Sequence, residues 1–423
     1  MLPAAAKLNW QQRIDSLLCA LIPAFLLIDC FNGALLQLYG SSLGVSQFYK
    51  LTLLSLMALS SLLQQPRWTL GLLLALILML IGPAVLWPHL SVRWVLADLQ
   101  LAVKALSPLL ALLYLSAFAV RDKARAQQLF KHTLLISTLV LLLNALAGVA
   151  GFGFSAYQPL DGVAQSFLGI KGFFYSTNEL SAVLLVLSCA LLCISWPRHK
   201  GAYLLCSITA LLLALSLLTK TGMLGVLLLI LLVPLLLQPQ VFWQRQKKWL
   251  LLLATVVLLL SALLIANAEL LLSWLGIWDK LSFVYQQRGI SGILLSSRDY
   301  YAGRIWQICN EHYSDWQRIL GVGQGGVALY VKKYFAELDW FDLLMFYGLA
   351  GVTVFVMTFA VFFRLSWQQR RLGSGRVLLL LNMLLLLVSA LAGHILSSGM
   401  LWLPWALCNV LLAHYAVKTK VAQ

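Results

Sequence analysis

Charge is what this 423-residue sequence has least of: 10% of its positions are charged, and Asp and Glu supply only 14 of them against 30 Lys and Arg. A typical soluble domain is about 25% charged over its whole length, so a water-exposed globular chain is excluded. Seven cysteines are present, none with metal-ligand spacing. Cys19, Cys30, Cys189, Cys193, Cys206 and Cys408 lie in or beside apolar runs and Cys309 has no loop partner, which argues against a disulfide framework. The first apolar stretch carries Asp29 and Asn32 and lacks a small-residue cleavage site, so it reads as a retained span rather than a signal peptide. Internal repeats are missing, and so is the apolar–polar alternation of a membrane β-barrel.

What fills the chain is apolar. It is 61% hydrophobic with a mean hydropathy of +0.89, and its runs reach the roughly 20 residues that carry a helix across a ~30 Å hydrocarbon layer. Lipid offers backbone groups no partners, so these runs predict an all-α polytopic membrane protein, residues 1–423 forming one integral membrane domain. Spans are expected near 15–37, 45–64, 69–87, 95–119, 132–150, 179–197, 202–219, 222–238, 249–267, 341–363, 376–396 and 398–417. Basic residues sort by side of this scheme. Lys7, Arg13, Arg67, Arg121, Lys123, Arg125, Lys131, Arg198, Lys200, Arg245, Lys247, Lys248, Arg364, Arg370, Arg371, Arg376, Lys418 and Lys420 fall on one side, whereas the short connections opposite hold only Arg93 and Lys220, with Lys50 just inside a span. The positive-inside rule then gives about 12 spans with both termini cytoplasmic. The net charge of +16 is parcelled into these topology clusters, which removes nucleic acid as its explanation. Two connections on the outer side are longer: a Gly- and aromatic-rich one at 151–178, and a loop at 268–340 between spans nine and ten. Loops of the second size are usually functional.

Polar residues on that outer side are the candidates for chemistry. Lys220 stands at the turn TKTGM, as a diphosphate ligand or a lysine snorkelling to headgroups. In GIKGFFYSTNELSA, Lys171, Asn178 and Glu179 offer binding groups, or for the last two a helix cap and dipole partner. Arg298 and Arg304, with Tyr300, Tyr301 and Trp306 around them, make either a binding surface or a solvated loop face. KKYFAELDWFDLLMFYG gathers Glu337, Asp339 and Asp342 before a long apolar run. A base would lose its function as the isosteric amide, whereas an N-cap Asp would not; Asp339 ranks first as base, since it lies nearer the membrane. His394 at the outer end of span eleven is a packed residue or an alternative base. Asp98 and Lys104 sit inside a span, six residues apart and ~120° around the helix, as a relay or as partners for other helices.

KGFFYSTNELSAVL, LLTKTGMLGVLL, SSRDYYAGRIWQ, GVGQGG and AELDWFDLLMFYGLAGV, in this order over residues 165–360, resemble the O-antigen ligase and Wzy-type polysaccharide polymerase superfamily. The resemblance implies glycan transfer from an undecaprenyl-diphosphate carrier at the outer face of the bacterial inner membrane. Lys220 and Arg298 match the family's basic positions. Ligases of the family place a histidine where this chain has Glu337 to Asp342, so the implied activity is polymerisation of lipid-linked oligosaccharide repeats. A growing polysaccharide is then the acceptor and a chain-length regulator a further partner. Ligation to lipid A core is the alternative, and a lipid-linked oligosaccharide flippase the rival from another class. The residues fit the transfer: Lys220, Arg298, Arg304 and Lys171 to bind the departing diphosphate, and Asp339, Glu337 or Asp342 as base. Asn178, Glu179, Tyr300, Tyr301, Trp306 and His394 are left to bind sugar. No cofactor, nucleotide or metal site is expected, since the lipid diphosphate is already activated.

Overall fold

The computed structural model describes residues 4–40, 44–156, 169–238 and 295–421, with isolated positions between 242 and 292. Its elements are α1 (Ala4–Leu21), a short 3-10 turn at Ile22–Ala24, α2 (Phe25–Tyr39), α3 (Val45–Gln64), α4 (Pro66–Leu86), α5 (Val92–Arg121) and α6 (Lys123–Val149). A two-stranded antiparallel hairpin, β1 (Phe154–Ser155) and β2 (Ile170–Gly172), precedes α7 (Thr177–Arg198), α8 (Lys200–Leu217) and α9 (Lys220–Leu236). Then come α10 (Arg298–His312), α11 (Asp315–Leu320), α12 (Gly323–Ala328), α13 (Asp339–Gln368), α14 (Gly373–Leu391) and α15 (Trp402–Val421).

The protein is an all-α, multi-pass membrane architecture. Among the described residues eight helical segments are long and apolar enough to cross a bilayer, including Trp10–Tyr39, Val92–Arg121 and Asp339–Gln368, while Lys220–Leu236 and Trp402–Leu412 are apolar but shorter. The expected ninth span at 249–267 and the start of the 268–340 loop lie, isolated positions apart, outside the described residues. Side chains such as Leu73, Leu74, Ile77 and Ile81 on α4 are exposed, as a lipid-facing stripe must be, whereas α7 is buried along most of its length. Polar contacts tie the helices where apolar side chains cannot discriminate partners. Asn382 of α14 donates to Ser366 Oγ of α13 at 2.7 Å and to Asn409 Oδ1 of α15 at 2.8 Å.

Two features depart from simple hydropathy. First, α13 is broken at Gly348, whose φ of 58° and ψ of −144° are open to glycine. The loop ahead of α12 enters this break: Val322 N donates to Met345 O at 3.1 Å, and a Cβ on Gly348 would meet Ile319 O at 1.9 Å. Second, the spans expected at 376–396 and 398–417 are helices at Gly373–Leu391 and Trp402–Val421 separated by irregular chain at 392–401. Asp98 explains how the first loop is anchored. It accepts from Gln324 N at 2.7 Å and Trp87 Nε1 at 3.0 Å, so it fastens GVGQGG to α5. Of the two readings of Asp98, the partner for another segment is the one observed.

Candidate functional site

Four separate segments meet at one end of the bundle. Arg298, at the start of α10, donates through Nη2 to Glu337 Oε2 at 3.1 Å; Lys333 lies 3.4 Å from Glu337 Oε1, and His394 Nε2 stands 4.0 Å from Oε2. Lys220, at the start of α9, reaches Ser296 Oγ at 3.4 Å beside Arg298. Lys333 also sits 4.0 Å over the Tyr301 ring, and Tyr300 meets Tyr301 edge to face. The Glu337 side chain is 28% exposed. Burial raises its pKa, but Lys333, Arg298 and His394 outweigh that and hold it below the ordinary carboxylate value. It is therefore an ionised counter-charge at neutral pH.

The three acids ahead of α13 have separate tasks. Asp339 is 2% exposed and accepts five donors: Ser389 Oγ (2.6 Å), Ser397 Oγ (3.0 Å) and the N–H groups of His394 (3.0 Å), Ile395 (2.7 Å) and Leu396 (3.2 Å). A carboxylate offers about four lone-pair sites, so Asp339 is saturated and sealed. It is neither a cap of its own helix, which Leu338 leads as N-cap without a side-chain bond, nor a group open to an acceptor hydroxyl. Asp342 is also buried and accepts from Ala336 N at 2.8 Å and Leu338 N at 3.2 Å. Rather than only complementing the dipole of α13, it fastens the turn that carries Glu337. Asp339 in the same way fastens the segment that carries His394.

Both carried residues are bent into the left-handed region, Glu337 at φ 64° and His394 at φ 64°. Among the described residues the other non-glycine residues with positive φ are Leu218, Ser296 and Ser297. All five lie at, or within two positions of, Lys220, Arg298, Glu337 and His394. Such backbone costs of order 1–3 kcal/mol per residue, persists only where the surrounding structure over-determines it, and clusters at functional sites. Gly393 permits the contact between the two bent segments, because a Cβ there would lie 2.3 Å from Glu337 O.

The remaining expected residues are placed differently. Glu179 does not cap α7; Ser176 does, accepting from Glu179 N at 3.4 Å. The Glu179 carboxylate instead accepts from Ser398 Oγ at 2.6 Å and Gly399 N at 2.9 Å. Asn178 is half-buried in the first turn of α7. Lys171 belongs to β2, held by Asn144 at its carbonyl, with its ammonium 5.6 Å over the Phe154 ring and its pKa lowered by burial. Arg304 and Trp306 are exposed on α10. Lys333 is a member of the cluster that sequence reasoning missed, its i,i+4 spacing from Glu337 being the one available signal. Among the described residues no three His, Cys, Asp or Glu side chains gather closely enough to hold a metal ion.

The arrangement can bind an anion and move a proton. Ser397 donates its one hydrogen to Asp339 Oδ1, so towards His394 Nδ1, 3.4 Å away, it can only accept. That chain puts the ring hydrogen on Nδ1 and leaves Nε2, on the Glu337 side, free to take a proton. Comparison with protein-family models and with curated proteins yields no match.

Proposed function

We propose that this protein is a bacterial inner-membrane glycosyltransferase that polymerises undecaprenyl-diphosphate-linked oligosaccharide repeats at the periplasmic face, as its resemblance to the O-antigen ligase and Wzy-type superfamily implies. The observation that carries the reading is the meeting of Lys220, Arg298, Lys333, Glu337 and His394, from separate segments, at strained backbone at one end of an apolar bundle. In the twelve-span scheme this end is opposite the Lys- and Arg-rich connections and so faces outward.

The chemistry follows from charge. An acceptor sugar hydroxyl attacks the anomeric carbon of the donor, a C–O bond forms, and the bond from that carbon to the diphosphate breaks with its electron pair on phosphate. Arg298, Lys333 and Lys220 stabilise the charge gathered on the leaving diphosphate. His394 Nε2 takes the hydroxyl proton, and Glu337 stabilises the resulting imidazolium. The 4.0 Å separation suits a ligand-free site, since catalytic contacts often tighten only when substrate is bound. Direct displacement inverts the anomeric centre.

His394 also supports a second reading, ligation of finished glycan to lipid A core, because a histidine stands at the mouth of the apolar helices, although on a different segment from the family's. Deletion of the gene separates the two. Single repeats on lipid A core identify a lost polymerase, and free lipid-linked polymer identifies a lost ligase. Arg298→Ala should reproduce the deletion pattern with the protein still present in the membrane; a normal surface glycan ladder in that variant refutes both.

A further inference from the structure

A second set of charges lies inside the bundle and is unused by the reaction above. Asp29 of α2, Lys50 of α3, Lys104 of α5 and Glu179 of α7 surround the irregular chain at Ser398 and Gly399. Lys50 Nζ donates to Asp29 Oδ1 at 2.5 Å and lies 5.3 Å over the Phe25 ring, and the Ser46 hydroxyl donates to the same oxygen. Glu179 Oε2 is taken by Ser398 and Gly399. Asp29 Oδ2 is buried without a hydrogen-bond partner among the described residues. Lys104 is half-buried and has no hydrogen bond or ion pair among the described residues.

Geometry brings the two cations together. A Cβ built on Gly399 would stand 3.4 Å from Lys50 Nζ and 3.7 Å from Lys104 Cε. The Lys50 ammonium and the end of the Lys104 side chain thus flank the Gly399 backbone, each at ordinary contact distance from where a Cβ would stand. Lys104 is about 18 Å along α5 from its start at 1.5 Å per residue, and a charge within a span is expensive unless it is paired or lines a ligand path. Irregular backbone at such depth is likewise tolerated only inside protein or along a cavity. His394, Ser397 and Gly399 are half-exposed while Ile395, Leu396 and Ser398 are buried.

We infer that Lys50 and Lys104 form a second anion subsite, within the bundle, that takes the phosphate group of a lipid over the bare backbone of Gly399. Two ammonium groups supply point charges suited to phosphate, while the oxygens of Asp29 and Glu179 that meet Lys50 and Gly399 are already engaged. The site stands on geometry alone; only the choice of a polyprenyl lipid as its occupant rests on the proposed transferase reading.

The test uses the full chain in phosphatidylcholine nanodiscs doped with undecaprenyl phosphate or with phosphatidylglycerol, the retained lipid being counted by native mass spectrometry. Undecaprenyl phosphate should be retained by the wild type, retained about tenfold less by Lys104→Gln, as for one lost charge-assisted hydrogen bond, and recovered in Lys104→Arg. Gly399→Leu keeps every charge but covers that bare backbone, and should lose retention as Lys104→Gln does. Phosphatidylglycerol retained equally, with the same dependence on Lys104, supports the subsite and makes its occupant a headgroup lipid. Retention unchanged in both Lys104→Gln and Gly399→Leu overturns it. Because the surface-glycan ladder reports Arg298 and lipid retention reports Lys104, either proposal can fail without the other.

Discussion

Glu337 and Asp339 stand two positions apart, yet the regions they organise are opposites. Glu337 is half-open to solvent and meets cationic side chains from α10, the preceding loop and the segment after α14. Asp339 is sealed and meets backbone N–H groups and hydroxyls. A carboxylate whose partners are backbone donors is part of the architecture, because those donors have no other outlet. One whose partners are cationic side chains can exchange them for a ligand. Partner type therefore separates the acid that shapes the site from the acid that works in it.

Removing Asp339 gives the largest expected effect. Asp339→Ala orphans the amides of His394, Ile395 and Leu396 in a buried place, each at ~1–3 kcal/mol, a large fraction of a stability of ~5–15 kcal/mol. The variant should fail to accumulate as folded protein, or melt far below wild type in detergent. An Asp339→Ala protein that is stable and merely inactive would reverse the comparison and return Asp339 to the role of base.

Glu337 and His394 should behave the other way. Glu337→Gln and His394→Gln are expected to accumulate and to melt close to wild type, because both side chains are partly exposed and bonded to no backbone group among the described residues. Polymer formation should fall by ~10²–10⁴-fold, the usual worth of a positioned base and its partner. The readout is repeat length on the surface glycan at matched protein level. Full activity in both variants would make the cluster a structural ion network.

The regions also differ in how much of them the sequence carried. Helix α7 was expected at 179–197 and runs Thr177–Arg198; α13 was expected from 341 and starts at Asp339. Apolar length and capping residues suffice for such elements. Hydropathy does not distinguish a lipid-facing helix from irregular chain buried in protein, so 392–401 read as two abutting spans, with Gly393 and Gly399 the only contrary signs. The pairing of Glu337 with Arg298 and of Asp339 with Ser397 depends on contacts 39 and 58 residues apart in sequence, and no local pattern encodes those. The left-handed backbone at Glu337 and His394 is hidden for the same reason: neither is glycine, and distant partners hold both.

The smallest expected effect is in the pH dependence of stability, and it sharpens the contrast most finely. Lys333, Arg298 and His394 depress the Glu337 pKa in the folded protein below its unfolded value of about 4.3. A group with a depressed folded pKa contributes stability that is fully present above the unfolded pKa and is lost as pH falls through the folded one. The Glu337 cluster should thus support the fold from neutral pH down to about 4.3 and lose that support in more acid solution. Its half-open setting limits the contribution to no more than ~1 kcal/mol, as for screened ion pairs. The difference in melting temperature between wild type and Glu337→Gln measures it directly. That difference should be small at neutral pH, then shrink towards zero as pH falls below 4, and 0.5 M salt should reduce it throughout. A gap that widened in acid would mean that Glu337 is protonated more readily in the fold than out of it. The cations around it would then be screened from it, leaving no basis for its pairing with an imidazolium at His394.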